Sequence, residues 1–87
     1  MNAIDLVQEL KGYGDETTDK ILELTEEYQL EESLLDLVDI NIGENVELYE
    51  ITDDIKENVG EYIEHLKENI DEDLLEDFEE TIQDLGL

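Results

Sequence analysis

Net charge constrains this chain more than any other feature. Its 87 residues hold 29 Asp and Glu against four Lys, no Arg and one His, a formal charge of −25 at pH 7. A small domain stays soluble with a net charge of roughly 2–8. The excess opposes compaction, so any fold must keep almost every carboxylate in water. It also calls for a cause outside the fold, and a strongly positive partner is the most economical one.

Charge and a core nevertheless coexist. Hydrophobic residues are 39% of the chain, and Leu and Ile recur throughout, unlike in charged disordered tails. This length makes one domain with one modest core. With no Cys, disulfides and thiolate metal sites are excluded. No apolar run approaches the ~20 residues of a membrane span. The start, Met1 to Asp5, lacks the basic and apolar regions of a secretory signal, which predicts a cytoplasmic protein. Anionic membranes and nucleic acid would both repel it directly. Salt-loving organisms also make acidic, Lys-poor proteins, but a single Ala among many Ile, Leu, Asn and Glu does not fit that pattern.

Apolar spacing predicts an all-α single domain, residues 1–87, of four to five short amphipathic helices. Ile4, Leu6, Val7 and Leu10 mark a first helix, with Asn2 as its N-cap and Gly12 and Gly14 at its end. A second runs from about Asp15 to Gln29, with Ile21, Leu22, Leu24, Thr25 and Tyr28 on one side. A third covers Glu31 to Asp39. Between Ile40 and Ile51, the alternation of Val46, Glu47 and Leu48 suggests a short strand or extended turn near 46–51, with α+β as the alternative class. Thr52 or Asp53 is expected to cap a long fourth helix through Ile70, with Gly60 inside it. A final helix spans about Asp71 to Leu85, with Leu74, Leu75, Phe78, Ile82 and Leu85 on one face.

The acid is spread over every segment and falls on the outer faces. In the fourth helix, Glu57, Glu61, Glu64 and Glu68 form one stripe opposite the apolar one. Asp53 and Asp54 precede them. In the last helix, Glu72, Asp73, Glu76, Asp77, Glu79, Glu80 and Asp84 cover the outer face without a base. Each like-charged pair three or four residues apart costs roughly 0.2–0.5 kcal/mol, and Lys at half these positions would relieve it. These thirteen carboxylates are therefore the candidate partner-binding residues. Asp15, Asp53 and Asp71 also suit helix starts.

Other motifs carry less. Asp39 to Glu50 outlines a calcium loop, but Gly43 and Glu44 occupy the places of a ligand and of the turn Gly. Glu32-Ser33-Leu34 is an incomplete match to the attachment site of acyl carriers. Thr18 to Asp39 could form a helix–turn–helix, but its second helix offers Glu31, Glu32, Asp36 and Asp39 where base readers carry Lys, Arg, Asn or Gln. His65 reads as an ordinary surface His, and no nucleophile or catalytic set accompanies it. Tyr28, Tyr49 and Tyr62 suit the core edge, while Tyr13, between glycines, is the one expected to be exposed and to anchor a contact.

Small size, extreme acidity, helical segments and the lack of an enzyme motif together resemble the DNA-mimic inhibitors of phages and mobile elements, including anti-restriction and anti-CRISPR proteins. The resemblance covers the whole chain and is one of composition. It implies a stoichiometric inhibitor without a cofactor. Such an inhibitor would occupy the basic groove of a nucleic-acid-binding protein, a CRISPR effector or restriction enzyme foremost, as a monomer or homodimer in the host cytoplasm. An acidic adaptor for a basic protein, without DNA mimicry, is the rival reading.

Overall fold

A computed structural model describes residues 2–87; Met1, the first residue of the start segment, lies outside them. The described residues form six α-helices and no strand. They are α1 (Ala3–Leu10), α2 (Glu16–Glu27), α3 (Glu31–Ile42), α4 (Leu48–Glu57), α5 (Val59–Asn69) and α6 (Leu75–Asp84), with a 3-10 turn at Glu72–Leu74 ahead of the last. The expected all-α class holds.

Local chemistry sets most of the helix ends. Asn2 Oδ1 accepts from the Asp5 N–H at 2.8 Å, and Asp15 Oδ1 from the Thr18 N–H at 2.9 Å. Each satisfies a donor that the first helical turn leaves free. The Thr18 N–H favours the charged form of Asp15 and lowers its pKa. At the end of α2, Gln29 takes the left-handed conformation (φ 56°), and the Leu30 N–H returns to the Thr25 carbonyl at 2.9 Å. Gly86 and Leu87 close α6 in the same way, through Gln83 and Ile82.

Two stretches differ from the sequence expectation. Leu48 to Ile51 is helical, not extended. Leu48, Ile51, Thr52 and Ile55 recur at i, i+3, i+4 and i+7, and Ile51, Thr52 and Ile55 are buried. That period overrides the brief alternation at 46–48. The helix starts at Glu47, whose N–H donates to Glu50 Oε2 at 2.9 Å, so neither Thr52 nor Asp53 caps it. The long fourth helix is in fact two, because Asn58 (φ −127°, ψ 41°) breaks the chain between α4 and α5. Gly60 thus lies in the first turn of α5, not in a helix interior. In addition, α3 runs three residues beyond Asp39, to Ile42. That run places Asp39 and Asn41 of the calcium-like outline on a helix. No group of three or more metal-ligating side chains occurs among the described residues.

α2 and α3 sit at the centre, packed on each other, and each also packs against α1, α4 and α5. Val7, Leu10, Ile21, Leu22, Leu24, Leu34, Ile55, Tyr62, Leu66 and Phe78 are fully buried in one continuous core. Each such side chain contributes about 1.5–3 kcal/mol. The radius of gyration is 11.9 Å, matching the ~12 Å of a compact chain of this length. Where the α1–α2 turn meets α4, a Cβ on Gly14 would stand 2.9 Å from the Thr52 Cβ. Only glycine allows that approach.

α6 is attached differently. Its backbone comes close to those of α1 to α5 at few points. Phe78 plugs into the core, its ring edge-on to Tyr28 with centroids 5.3 Å apart, and the Tyr28 and Thr81 hydroxyls hydrogen-bond at 2.9 Å.

Candidate partner-binding surface

The core-facing stripes leave the carboxylates pointing outward. On α6 and its C-cap, Phe78, Ile82 and Leu85 turn towards the core, and Leu75 is half-buried. Glu76, Asp77, Glu79, Glu80 and Asp84 cover the opposite arc and are all exposed. Glu72 and Asp73, in the preceding turn, are exposed as well. α6 has 10 residues, hence a length of ~15 Å, so its carboxylates come about every 3 Å of axis, against a phosphate every ~3.4 Å along one DNA strand.

On α5, Glu61, Glu64 and Glu68 are exposed and share a face. Glu57 ends α4 on the other side of the Asn58 break, so the expected four-residue stripe is divided between two helices. Asp53, also exposed, lies inside α4. Base is scarce around these groups. Among the described residues, ion pairs join Lys11 to Glu26 at 2.7 Å and Lys67 to Glu79 at 3.5 Å. The first raises the Lys11 pKa, chiefly through its hydrogen bond to Glu26. Exposed pairs of this kind contribute little.

Asp54 is the exception among the thirteen candidates. Its Oδ2 accepts from the Tyr62 hydroxyl at 2.7 Å and from Asn41 Nδ2 at 3.0 Å, and its Oδ1 from Asn58 Nδ2 at 3.0 Å. The carboxylate ties α3, α4 and the start of α5 together. It is half-buried and spent on the fold. Burial, and then the hydrogen bond to Asp54, pushes the Tyr62 hydroxyl pKa far up, so the phenol stays protonated and donates. Asn58 and Tyr62 follow Asp54 at four-residue intervals, but the break at Asn58 puts Tyr62 on the next helix, so spacing alone does not mark the cluster. Replacing Asp54 by Ala would leave the buried Tyr62 hydroxyl without an acceptor and should cost about 1–3 kcal/mol. Urea unfolding checks this; an unchanged midpoint would contradict the structural role.

Capping is expected at Asp15, Asp53 and Asp71. Asp15 caps α2, and Asp71 accepts from the Asp73 N–H at 3.3 Å at the 3-10 turn, but Asp53 caps nothing. Asp19, which no sequence signal marks, accepts from the Gly12 N–H at 2.9 Å and fastens the α1–α2 turn. Tyr49, expected at the core edge, is as exposed as Tyr13. Acid outside the candidate set is exposed too, at Asp5, Glu9, Glu23, Glu27, Glu32, Asp36, Asp39 and Glu44, so negative charge wraps the whole molecule.

Comparison with family models, with curated proteins and with solved structures finds no match to this chain.

Proposed function

We propose that this protein is a DNA mimic that inhibits a nucleic-acid-binding protein by occupying its basic groove. The observation that supports this reading most is the arc of carboxylates on α6, of which Glu79 alone meets a base among the described residues, carried on a folded helix at nearly the axial spacing of DNA phosphates. A groove lined with Lys and Arg would attract either surface. Because the carboxylates are already fixed on a folded scaffold, little ordering entropy opposes binding.

The mechanism follows from the charge. Long-range attraction speeds encounter with a basic groove by 10–10³-fold at low salt. The outer faces of α5 and α6 then pair with the cations that otherwise hold phosphates, and the nucleic acid is excluded. No cofactor takes part. CRISPR effectors and restriction enzymes, the defences that phages meet inside the host cytoplasm, have grooves of the required kind.

The reading is tested by capture. Immobilised protein should retain a basic DNA-binding protein from a bacterial lysate, and duplex DNA added to the resin should elute it. Retention of the captured protein in excess DNA would point to an acidic adaptor instead.

A further inference from the structure

Five aromatic side chains occur in the chain, and three are used internally. Phe78 and Tyr62 are fully buried, and Tyr28 is half-buried between Phe78 and Thr81. The other two, Tyr13 and Tyr49, are 55% and 54% exposed, although each ring would gain by burial. Both belong to one seam. Tyr13 precedes Gly14, which is pressed against Thr52, and the Thr52 hydroxyl donates to the Tyr49 carbonyl at 3.1 Å. Tyr13 and Tyr49 are therefore carried on adjoining segments, the α1–α2 turn and the first turn of α4, and both rings are open to solvent.

Acid frames the rings. Asp53 follows Tyr49 by one helical turn, so the two share a face of α4. Asp15 lies two residues beyond Tyr13, and both carboxylates are exposed. Lys56 stands further along the same face, three residues beyond Asp53. An aromatic face beside a carboxylate matches a guanidinium. The ring attracts the cation over its face, while the carboxylate accepts its N–H groups. A lysine ammonium fits less well, lacking both the planar stack and the fork. DNA itself offers no such rings, so this patch would add arginine selectivity that phosphate imitation lacks.

We propose that the Tyr13–Tyr49 seam is an arginine-docking anchor, taking arginine side chains of the basic partner onto its rings with Asp53 as the acceptor. This deepens the proposed function and rests on its premise that the partner is a basic protein. The wider acidic surface supplies attraction, and the seam supplies preference and residence time.

The test uses two probes of equal length and charge, nona-arginine and nona-lysine, titrated into the full chain at fixed salt. Wild type should bind the arginine peptide more tightly, with the Tyr13 and Tyr49 ring resonances shifting. Y13A/Y49A should lower the arginine affinity by about 2- to 5-fold per ring and the lysine affinity by less, so that the preference disappears. Y13F/Y49F, which keeps both rings, should retain the preference. Equal affinities in wild type, or a preference that survives Y13A/Y49A, would overturn the proposal. So would a parallel loss of both peptides in that variant. None of these outcomes bears on whether DNA displaces a captured partner, so the proposed function stands or falls separately.

Discussion

Phe78→Ala should lower stability by about 3–5 kcal/mol, a large part of the 5–15 kcal/mol typical of a domain. Phe78 is fully buried and is the one residue of α6 that reaches the core completely. Ile82 and Leu85, partly buried, only flank it. The substitution also removes the edge-on partner of Tyr28. The melting temperature should fall by about 4–8 °C per kcal/mol lost. Leu74→Ala, at a position 40% exposed, should change stability by less than ~0.5 kcal/mol. Hydrogen exchange should show 75–84 losing protection first, because little else holds α6. Equal effects of the two substitutions would contradict Phe78 as the anchor of the acidic helix.

Added salt should act in opposite directions on the fold and on its complex. On α6 the pairs Glu76–Glu79, Glu76–Glu80, Asp77–Glu80 and Glu80–Asp84 each cost roughly 0.2–0.5 kcal/mol at low ionic strength. Screening shortens the reach of these repulsions from ~10 Å at 0.1 M to ~3 Å at 1 M. The melting temperature should therefore rise between 0.05 and 0.5 M NaCl, while affinity for the basic partner falls steeply. Reversing Glu76, Asp77 and Glu80 to Lys changes the local charge by six units and relieves the repulsion. That triple variant should be at least as stable as wild type and should bind the partner at least tenfold more weakly. Unchanged inhibition by it would move the contact away from α6. A melting temperature flat across that salt range would contradict the self-repulsion.

The sequence made the helical class legible because charge left so few ways to bury apolar residues. Val7 with Leu10, Ile21 with Leu24 and Thr25, and Phe78 with Ile82 each repeat at helical spacing, and the first two helix starts carry readable caps. The stretch from Val46 to Ile51 reads as extended because three alternating residues mimic a strand. The competing period, Leu48 to Ile55, emerges only over a longer window. Asn58 gives no sign of a break because the apolar stripe runs on through it from Ile55 to Val59 and Tyr62. The outward acid of α5 and α6 follows directly from amphipathic spacing. The diversion of Asp54 into the fold does not, since it depends on Asn41 arriving from α3. Nor does the meeting of the Tyr13 turn with the first turn of α4, which depends on the close approach of Gly14 to Thr52.

The central claim, that this acidic surface stands in for DNA, is tested most directly by equilibrium competition on a captured partner. Labelled duplex is bound to that partner, and its apparent Kd is measured at increasing concentrations of this protein. Mutually exclusive occupancy predicts that the apparent Kd rises linearly with protein concentration and that no complex contains all three components. A saturating effect, with partner, duplex and this protein found in one complex, would contradict mimicry.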